Sequence, residues 1–404
     1  MADTAANIQE SAAIYKQRIV TNKTKTHSRI FGLDILRACA IMTVVIGHGT
    51  YLLPSNLSKI CSHIFGYDGV SIFFVLSGFL IGGILIKTLE KKRGQKRVLL
   101  NFWIRRWFRT IPPYFLILTI LLISHLLFAK GFSFSKNSPL NFFTFTQNLF
   151  YRHPDFFPEA WSLPIEEWFY LLIPPIILVF IFFKRSVKTS VLCTALSILI
   201  VITLFRFYRY SNIPVETLPD FSLEEWDLQF RKQVITRLDS LMFGMIGAFL
   251  QYYYREYWLK YKKTLLCLGV LLFVINKFFI DPSISIGSLY NCVFSFSVTS
   301  FATLLLLPFL SDFKTYKNGF IQKSITTISL ISYSMYLVNL SLVQLLILNH
   351  IPWDIIPNRY IMGGTRYLLY WFLTISLSMT IYKYFEVPTM NLRDNKTIKK
   401  WLRI

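Results

Sequence analysis

Charge is what this sequence has least of. Only 16% of its 404 residues are Asp, Glu, Lys or Arg, against about a quarter in a soluble domain. They also cluster, leaving long stretches almost uncharged, which excludes an ordinary soluble domain. Acidic residues are scarcer still: 21 Asp and Glu stand against 43 Lys and Arg, for a net charge of +22. A balance this basic is also a footprint of nucleic-acid binding. Here, however, the Lys and Arg fall in short segments between apolar runs, which is how a multi-span protein fixes its orientation, so no nucleic-acid partner is expected. Cysteine is sparse too. Cys39, Cys193, Cys267 and Cys292 lie inside apolar runs and Cys61 in a predicted loop. Their spacing matches no disulfide or metal pattern; they read as small buried apolar residues, and no metal is expected. No cleavable leader is read at the start. Residues 1–30 are polar, with Lys16, Arg18, Lys23, Lys25 and Arg29, and read as a disordered basic arm.

What is abundant is apolar length, in a chain 54% hydrophobic and 17% aromatic. Runs near the roughly 20 residues that cross a bilayer occupy 33–53, 68–88, 105–128, 164–183, 189–206, 234–254, 264–280, 287–310, 326–349 and 364–384. They are apolar all round, which favours helices over barrel strands. The expected fold is an all-α polytopic membrane protein of about ten transmembrane helices, its partner the lipid bilayer. It divides into a cytoplasmic basic arm (1–30), a membrane domain (31–385) and a cytoplasmic basic tail (386–404). Charge bias tests the count. Alternate connections hold Lys87, Lys91, Lys92, Arg93, Lys96 and Arg97; Lys184, Arg185 and Lys188; Arg255, Lys260, Lys262 and Lys263; and Lys314, Lys317 and Lys323. The tail adds Lys396, Lys399, Lys400 and Arg403, whereas the connection at 207–233 carries Glu216, Asp220, Glu224, Glu225 and Asp227. Alternation this regular predicts ten spans with both termini in the cytoplasm. No internal repeat or separate soluble domain is read.

An ionisable side chain inside a span is costly and a functional candidate by default. The first span, LDILRACAIMTVVIGHGTYLL, holds Asp34, Arg37 and His48. Arg37 and His48 are about three helical turns apart and share a face. Asp34 and Arg37 sit near the cytoplasmic end, where they either pair and snorkel or act; His48 lies in the outer half, either a packed residue or a catalyst. The third span opens NFWIRRWFRTIPPYF. Arg105, Arg106 and Arg109 at its cytoplasmic end read either as a topology anchor or as an anion site, since guanidinium forks bind phosphate bidentately. Pro112 and Pro113 predict a kink just beyond. The fourth span opens WSLPIEEWFYLLIPP, with Glu166 and Glu167 at its outer end, as helix-terminal carboxylates or functional ones. Gly78 and Gly82, and Ser240 and Gly244, have the small-residue spacing of closely packed membrane helices.

Taken in order, GLDILRACAIMTVVIGHG, GVSIFFVLSGFLIGG, FWIRRWFRTIPPYF, WSLPIEEWFYLL, RLDSLMFGMIGAF, SYSMYLVN and YKYFEVPTM resemble the acyltransferase-3 family of membrane O-acyltransferases, from about residue 31 to 390. The resemblance implies about ten helices and transfer of an acyl group, usually acetyl, from acetyl-CoA or another acyl-CoA to a hydroxyl of a cell-envelope glycan or lipid-linked glycan, at a bacterial inner membrane. It marks His48 as the catalytic histidine with Arg37 upstream, Arg106 and Arg109 as the paired arginines, and Glu166 as the glutamate after Trp-Ser-Leu. There is one departure. Many relatives carry His where this chain has Asn339, which hydrogen-bonds but cannot titrate.

The sequence-level mechanism has the donor enter from the cytoplasm with its phosphates on Arg105, Arg106 and Arg109. His48 then acts as general base on the acceptor hydroxyl, and Glu166 orients or charges the site; direct attack and a covalent acyl intermediate both stay open. The rival class is a transporter or flippase of an envelope precursor, which predicts broken helices and an inverted repeat. The charge alternation yields a direct test of orientation. In a cysteine-free background, a membrane-impermeant thiol reagent applied from outside is expected to label a cysteine at Glu224 and not one at Lys92. The reverse pattern would invert the topology and with it the side of donor entry.

Overall fold

Backbone amides inside a bilayer have no water to bond, so each span must satisfy its own hydrogen bonds. The chain does this with helices, and no strand occurs among the described residues. A computed structural model describes residues 29–66, 68–91, 96–128, 139–183, 186–214, 221–314 and 319–393, with 96–98 and 282 by backbone alone. Most of the basic arm, most of the tail, and Lys92, Arg93, Lys184, Arg185, Glu216, Asp220 and Lys317 lie outside the described residues.

The helices follow the expected order. They are α1 (Phe31–Gly49), a short α2 (Ser55–Phe65), α3 (Gly69–Lys91), α4 (Lys96–Phe128), α5 (Ser162–Phe182), α6 (Val187–Ser211), α7 (Val234–Tyr253), α8 (Lys262–Ile275), α9 (Ser295–Leu310), α10 (Phe320–Val338) and α11 (Arg359–Ile381). Among the described residues nine stretches are long and apolar enough to cross a membrane. The tenth long helix is α11, which coincides with the span expected at 364–384 but is not among the nine. One expectation fails at α2: Cys61 is helical, not in a loop. Leu57, Ile60, Ile64 and Phe65 of α2 are exposed, so α2 lies on the bundle rather than in it.

Successive long helices run in opposite directions. The start of α1 meets the end of α9, where Gly32 N donates to Phe313 O at 3.1 Å. At the other end the residues before α3 meet those after α8, where Lys277 Nζ donates to Gly66 O at 2.8 Å. We call these the near end, where α1 begins, and the far end, where it finishes. At the centre α3 and α7 pack with almost no side chain between them. A Cβ on Gly78 would lie 2.0 Å from Leu241 O, and one on Gly244 2.0 Å from Val75 O. The small-residue faces expected on both helices therefore meet each other, where close backbone approach gives dispersion contact that lipid cannot match. Beyond its α-helical part α10 continues as a π-helical stretch, Asn339–Ile347, and α11 continues through Tyr382–Glu386 into Val387–Leu392. The segment taken as the start of the tail is thus helical, and Glu386 is buried with its Oε2 accepting from Ser334 Oγ at 2.9 Å.

The α3–α7 contact gives a stability prediction. Gly244→Ala forces a methyl into backbone, and overpacking of this kind costs about 1–3 kcal/mol. The thermal unfolding midpoint of the detergent-solubilised protein is expected to fall; an unchanged midpoint would mean that the two helices separate freely.

Candidate functional site

A cavity of about 100 Å³ lies in the middle of the bundle, lined among others by Arg37 of α1, Ser77 of α3, Arg106 and Arg109 of α4, Glu166 of α5 and Tyr336 of α10. Hydropathy started the third span at residue 105, but α4 begins at Lys96. The arginines therefore stand well along the helix instead of at its mouth, about 15 Å of rise from its start to Arg106. Glu166, expected at the opposite end of the membrane, is on the second turn of α5 and faces the same cavity. Arg105 does not join them. It is about 100° round α4 from Arg106 and about 40° from Arg109, but its side chain is exposed and off the cavity wall, so its expected place in the anion site is not seen in this cavity.

The charges in this cavity are unequally satisfied. Glu166 is fixed on both oxygens, Oε1 accepting from Ser77 Oγ at 2.9 Å and Oε2 from Tyr170 Oη at 2.8 Å. Asp34 is taken by Arg29 through Nη2 at 2.6 Å and Nε at 3.0 Å, and by Ser329 Oγ at 2.8 Å. Arg37 is left with a long 3.7 Å pairing to Asp34 and a 3.4 Å bond to Ser329 Oγ. The guanidinium groups of Arg106 and Arg109 have no hydrogen-bond or ion-pair partner among the described residues. Beside them Glu167, buried, accepts from Thr110 Oγ1 at 2.7 Å through Oε1 and leaves Oε2 unpartnered. Three guanidiniums facing one fixed carboxylate make an anion-attracting cavity, because isolated charge in low dielectric demands a partner.

His48 is not on that wall. It stands in the last turn of α1, about 16 Å of rise beyond Arg37, and both residues face α10. Arg37 meets Ser329, and His48 Nδ1 lies 2.6 Å from Asn339 Oδ1. The Asn339 amide is held by its other side. Its Nδ2 donates to Met335 O at 2.9 Å and Tyr336 O at 2.8 Å, and Tyr370 Oη donates to its Oδ1 at 3.2 Å. Oδ1 is therefore the atom facing His48 and can only accept, so Nδ1 carries the hydrogen and the Nε2 lone pair is free. No described residue bonds Nε2. The departure at Asn339 thus falls against His48 itself. Tyr336 bridges the two regions: it lines the cavity, accepts from Ser162 Oγ at 2.7 Å and donates to Glu159 O at 2.6 Å, one turn before Asn339.

Sequence reading passed over Glu159, Asp68 and Arg231, and took the start of α7 around Arg237 as a packing segment. Glu159 is buried and accepts from Ser341 N at 2.9 Å and Ser341 Oγ at 2.5 Å. Asp68 pairs with Arg231 at 3.5 Å and Arg237 at 3.3 Å, and Asp227 pairs with Arg231 at 2.8 Å and Lys232 at 2.6 Å. In the connection before α7, burial alone would raise the Asp227 carboxyl, but Arg231 and Lys232 outweigh it and hold it below the usual range, so it stays ionised. The wholly buried Arg206–Asp239 pair, 2.8 Å apart and bridged by Ser297, ties α6, α7 and α9 together. His125 and His350 line a separate cavity of about 190 Å³ with Asp155 at the far end.

The family model described as "Acyltransferase domain" matches residues 30–383. The O-acetyltransferase OatA of Staphylococcus aureus is 28% identical over 385 residues, covering 88% of this chain and 56% of the relative. The peptidoglycan O-acetyltransferase OatA of Listeria monocytogenes is 32% identical over 180 residues, covering 41% of this chain and 27% of the relative. The chain thus spans about half the length of the full-length staphylococcal relative it matches. No solved structure matches. With a family match that runs across the whole membrane bundle, the chain belongs to the acyltransferase domain family.

Proposed function

We propose that the protein is a membrane O-acyltransferase that moves an acyl group, acetyl by the likeness to the OatA proteins, from acyl-CoA on the cytoplasmic side to a hydroxyl of a cell-envelope glycan or glycolipid. The observation that carries this reading is the pair of unpartnered guanidiniums, Arg106 and Arg109, in an intramembrane cavity also lined by Arg37 and Glu166. An anion fills that need, and the phosphates of coenzyme A supply one. In this reading the phosphates lie on the arginines of the cavity and the adenosine end stays toward the near end. The near end is the cytoplasmic one in this reading, and the membrane a bacterial plasma membrane.

The pantetheine arm then runs along α1 and α10 from Arg37 to His48. His48 Nε2 takes the proton of the acceptor hydroxyl while Asn339 holds the Nδ1 hydrogen. The alkoxide oxygen bonds to the thioester carbonyl carbon, the carbon–sulfur bond breaks, and the departing thiolate recovers the proton from the imidazolium. Atoms and charge balance without any further reactant. Glu166, anchored by Ser77 and Tyr170, sets the field on the arginines and is placed to keep their forks turned to the cavity.

Two variants separate the roles. Arg109→Lys keeps the charge but loses the fork. Its affinity for CoA, read by calorimetry in detergent, is expected to fall about tenfold, the loss of a charged hydrogen bond of roughly 1.5 kcal/mol. Undiminished affinity would reduce Arg109 to a topology anchor. His48→Gln still hydrogen-bonds but cannot accept a proton near neutral pH. It is expected to bind CoA normally and to transfer acyl groups about 10²–10⁴ times more slowly. Near-normal turnover by an inserted His48→Gln protein would remove the histidine from the mechanism.

A further inference from the structure

At the far end lies a second cavity of about 380 Å³, lined by Asp68, by Trp226 and Arg231 of the connection before α7, and by Phe273, Asp281, Asn291 and Thr299 around α8 and α9. Its charge chemistry is already settled. Arg231 is shared between Asp227 and Asp68, and Asp68 also takes Arg237 and Ser71. No free cation is left there for an anionic ligand, and Asp68 is not available to a cationic one. Among the lining side chains, Asn291 Oδ1, Asp281 Oδ2 and the Thr299 hydroxyl make no hydrogen bond with a described residue, and Asp281 stands within electrostatic reach of Lys277. Two of these three can only accept, so they suit the donors of a ligand. Trp226 and Phe273 add flat apolar wall. Hydroxyl donors alternating with apolar C–H faces describe a pyranose ring.

The same cavity is one side chain away from the central one. The Arg237 guanidinium, fully buried, lies 4.1 Å over the ring of Phe296, which lines the far-end cavity, and 5.7 Å over Phe74, which lines the central cavity. Arg231 stacks 4.8 Å over Trp161, whose neighbour Ser162 lines the central cavity. The residue after Asp68, Gly69, packs on Ala40 and Thr43 of α1, about one and a half to two turns before His48. From these positions we infer that the far-end cavity is the acceptor subsite, which binds the saccharide rings of a neutral glycan and delivers one hydroxyl past the Asp68–Arg231–Arg237 partition to His48. The inference rests on the acyltransferase reading and adds to it where the acceptor sits.

The test uses the full chain in lipid nanodiscs, acetyl-CoA and a soluble N-acetylglucosamine tetramer as acceptor probe. Thr299→Val removes one hydroxyl at constant shape and is expected to raise the acceptor KM about threefold. Thr299→Trp fills the cavity and is expected to raise it tenfold or more, while the KM for acetyl-CoA stays at the wild-type value in both. Wild-type acceptor KM in both variants would overturn the subsite. If Thr299→Trp fails to insert, Thr299→Val decides alone. If the wild-type protein transfers nothing, the acyltransferase reading fails separately. Saturation-transfer NMR of the tetramer then still tests the cavity: binding lost in Thr299→Val or Thr299→Trp supports it, and binding absent from the wild type or equal in all three overturns it.

Discussion

A guanidinium cannot rest uncompensated inside a bilayer, and the whole bundle is organised around where its intramembrane arginines find charge. Two different solutions coexist. Arg206 and Arg237 are each fully buried and paired with Asp239 or Asp68, although Arg206 Nε and Arg237 Nε and Nη1 bond no described residue. Such pairs add little net stability over apolar packing, but removal of one partner is severe, about 3–5 kcal/mol, so they fix the relative placement of α3, α6, α7 and α9. Arg37, Arg106 and Arg109 are left open toward a cavity whose carboxylate is already bonded elsewhere. Structural arginines and receptive arginines are thus separated by a few ångströms of aromatic side chain, and the difference between them is whether a partner carboxylate is free.

The tight α3–α7 seam serves the same end. Gly78 and Gly244 let two backbones meet, and a rigid central pair gives the looser helices α1, α4, α5 and α10 a fixed surface. On that surface the distance between Arg37 and His48 is set by one unbroken helix. The partner positions on α10, Ser329 and Asn339, match it, because α1 and α10 run in the same direction. The π-helical stretch begins at Asn339, where one extra residue per turn re-aims side chains, a device common at functional positions.

Much of this was legible in the sequence. Helix number and order follow from apolar runs of bilayer length, and Gly78, Gly82, Ser240 and Gly244 announced the close seam by spacing alone. Arg37, Arg106, Arg109 and Glu166 were singled out as charges inside spans, and they line one cavity. What sequence misjudged was where the helix begins. Arg105, Arg106 and Arg109 depress local hydropathy, so the span appeared to begin at them, whereas α4 begins nine residues earlier at Lys96. Arg106 and Arg109 thus stand along the helix, on one cavity with Glu166, while Arg105 is exposed. The short amphipathic α2 escaped because eleven residues cannot register as a span, although Leu57, Ile60 and Ile64 carry helical spacing. The Asp68–Arg231–Arg237 partition was invisible because Asp68 lies more than 160 residues from both arginines in sequence, and no local pattern reports a pairing made only by the fold.

The central claim is that the bundle carries an acyl group from one face of the membrane to the other, with the donor held on its arginines and the acceptor activated at His48. Proteoliposomes of uniform orientation test it most directly, with radiolabelled acetyl-CoA confined to one face and a saccharide acceptor to the other. Labelled acceptor is expected only when acetyl-CoA is supplied on the face where α1 begins and the acceptor on the face where it ends. Equal labelling with donor and acceptor confined to the same face would contradict transfer through the bundle.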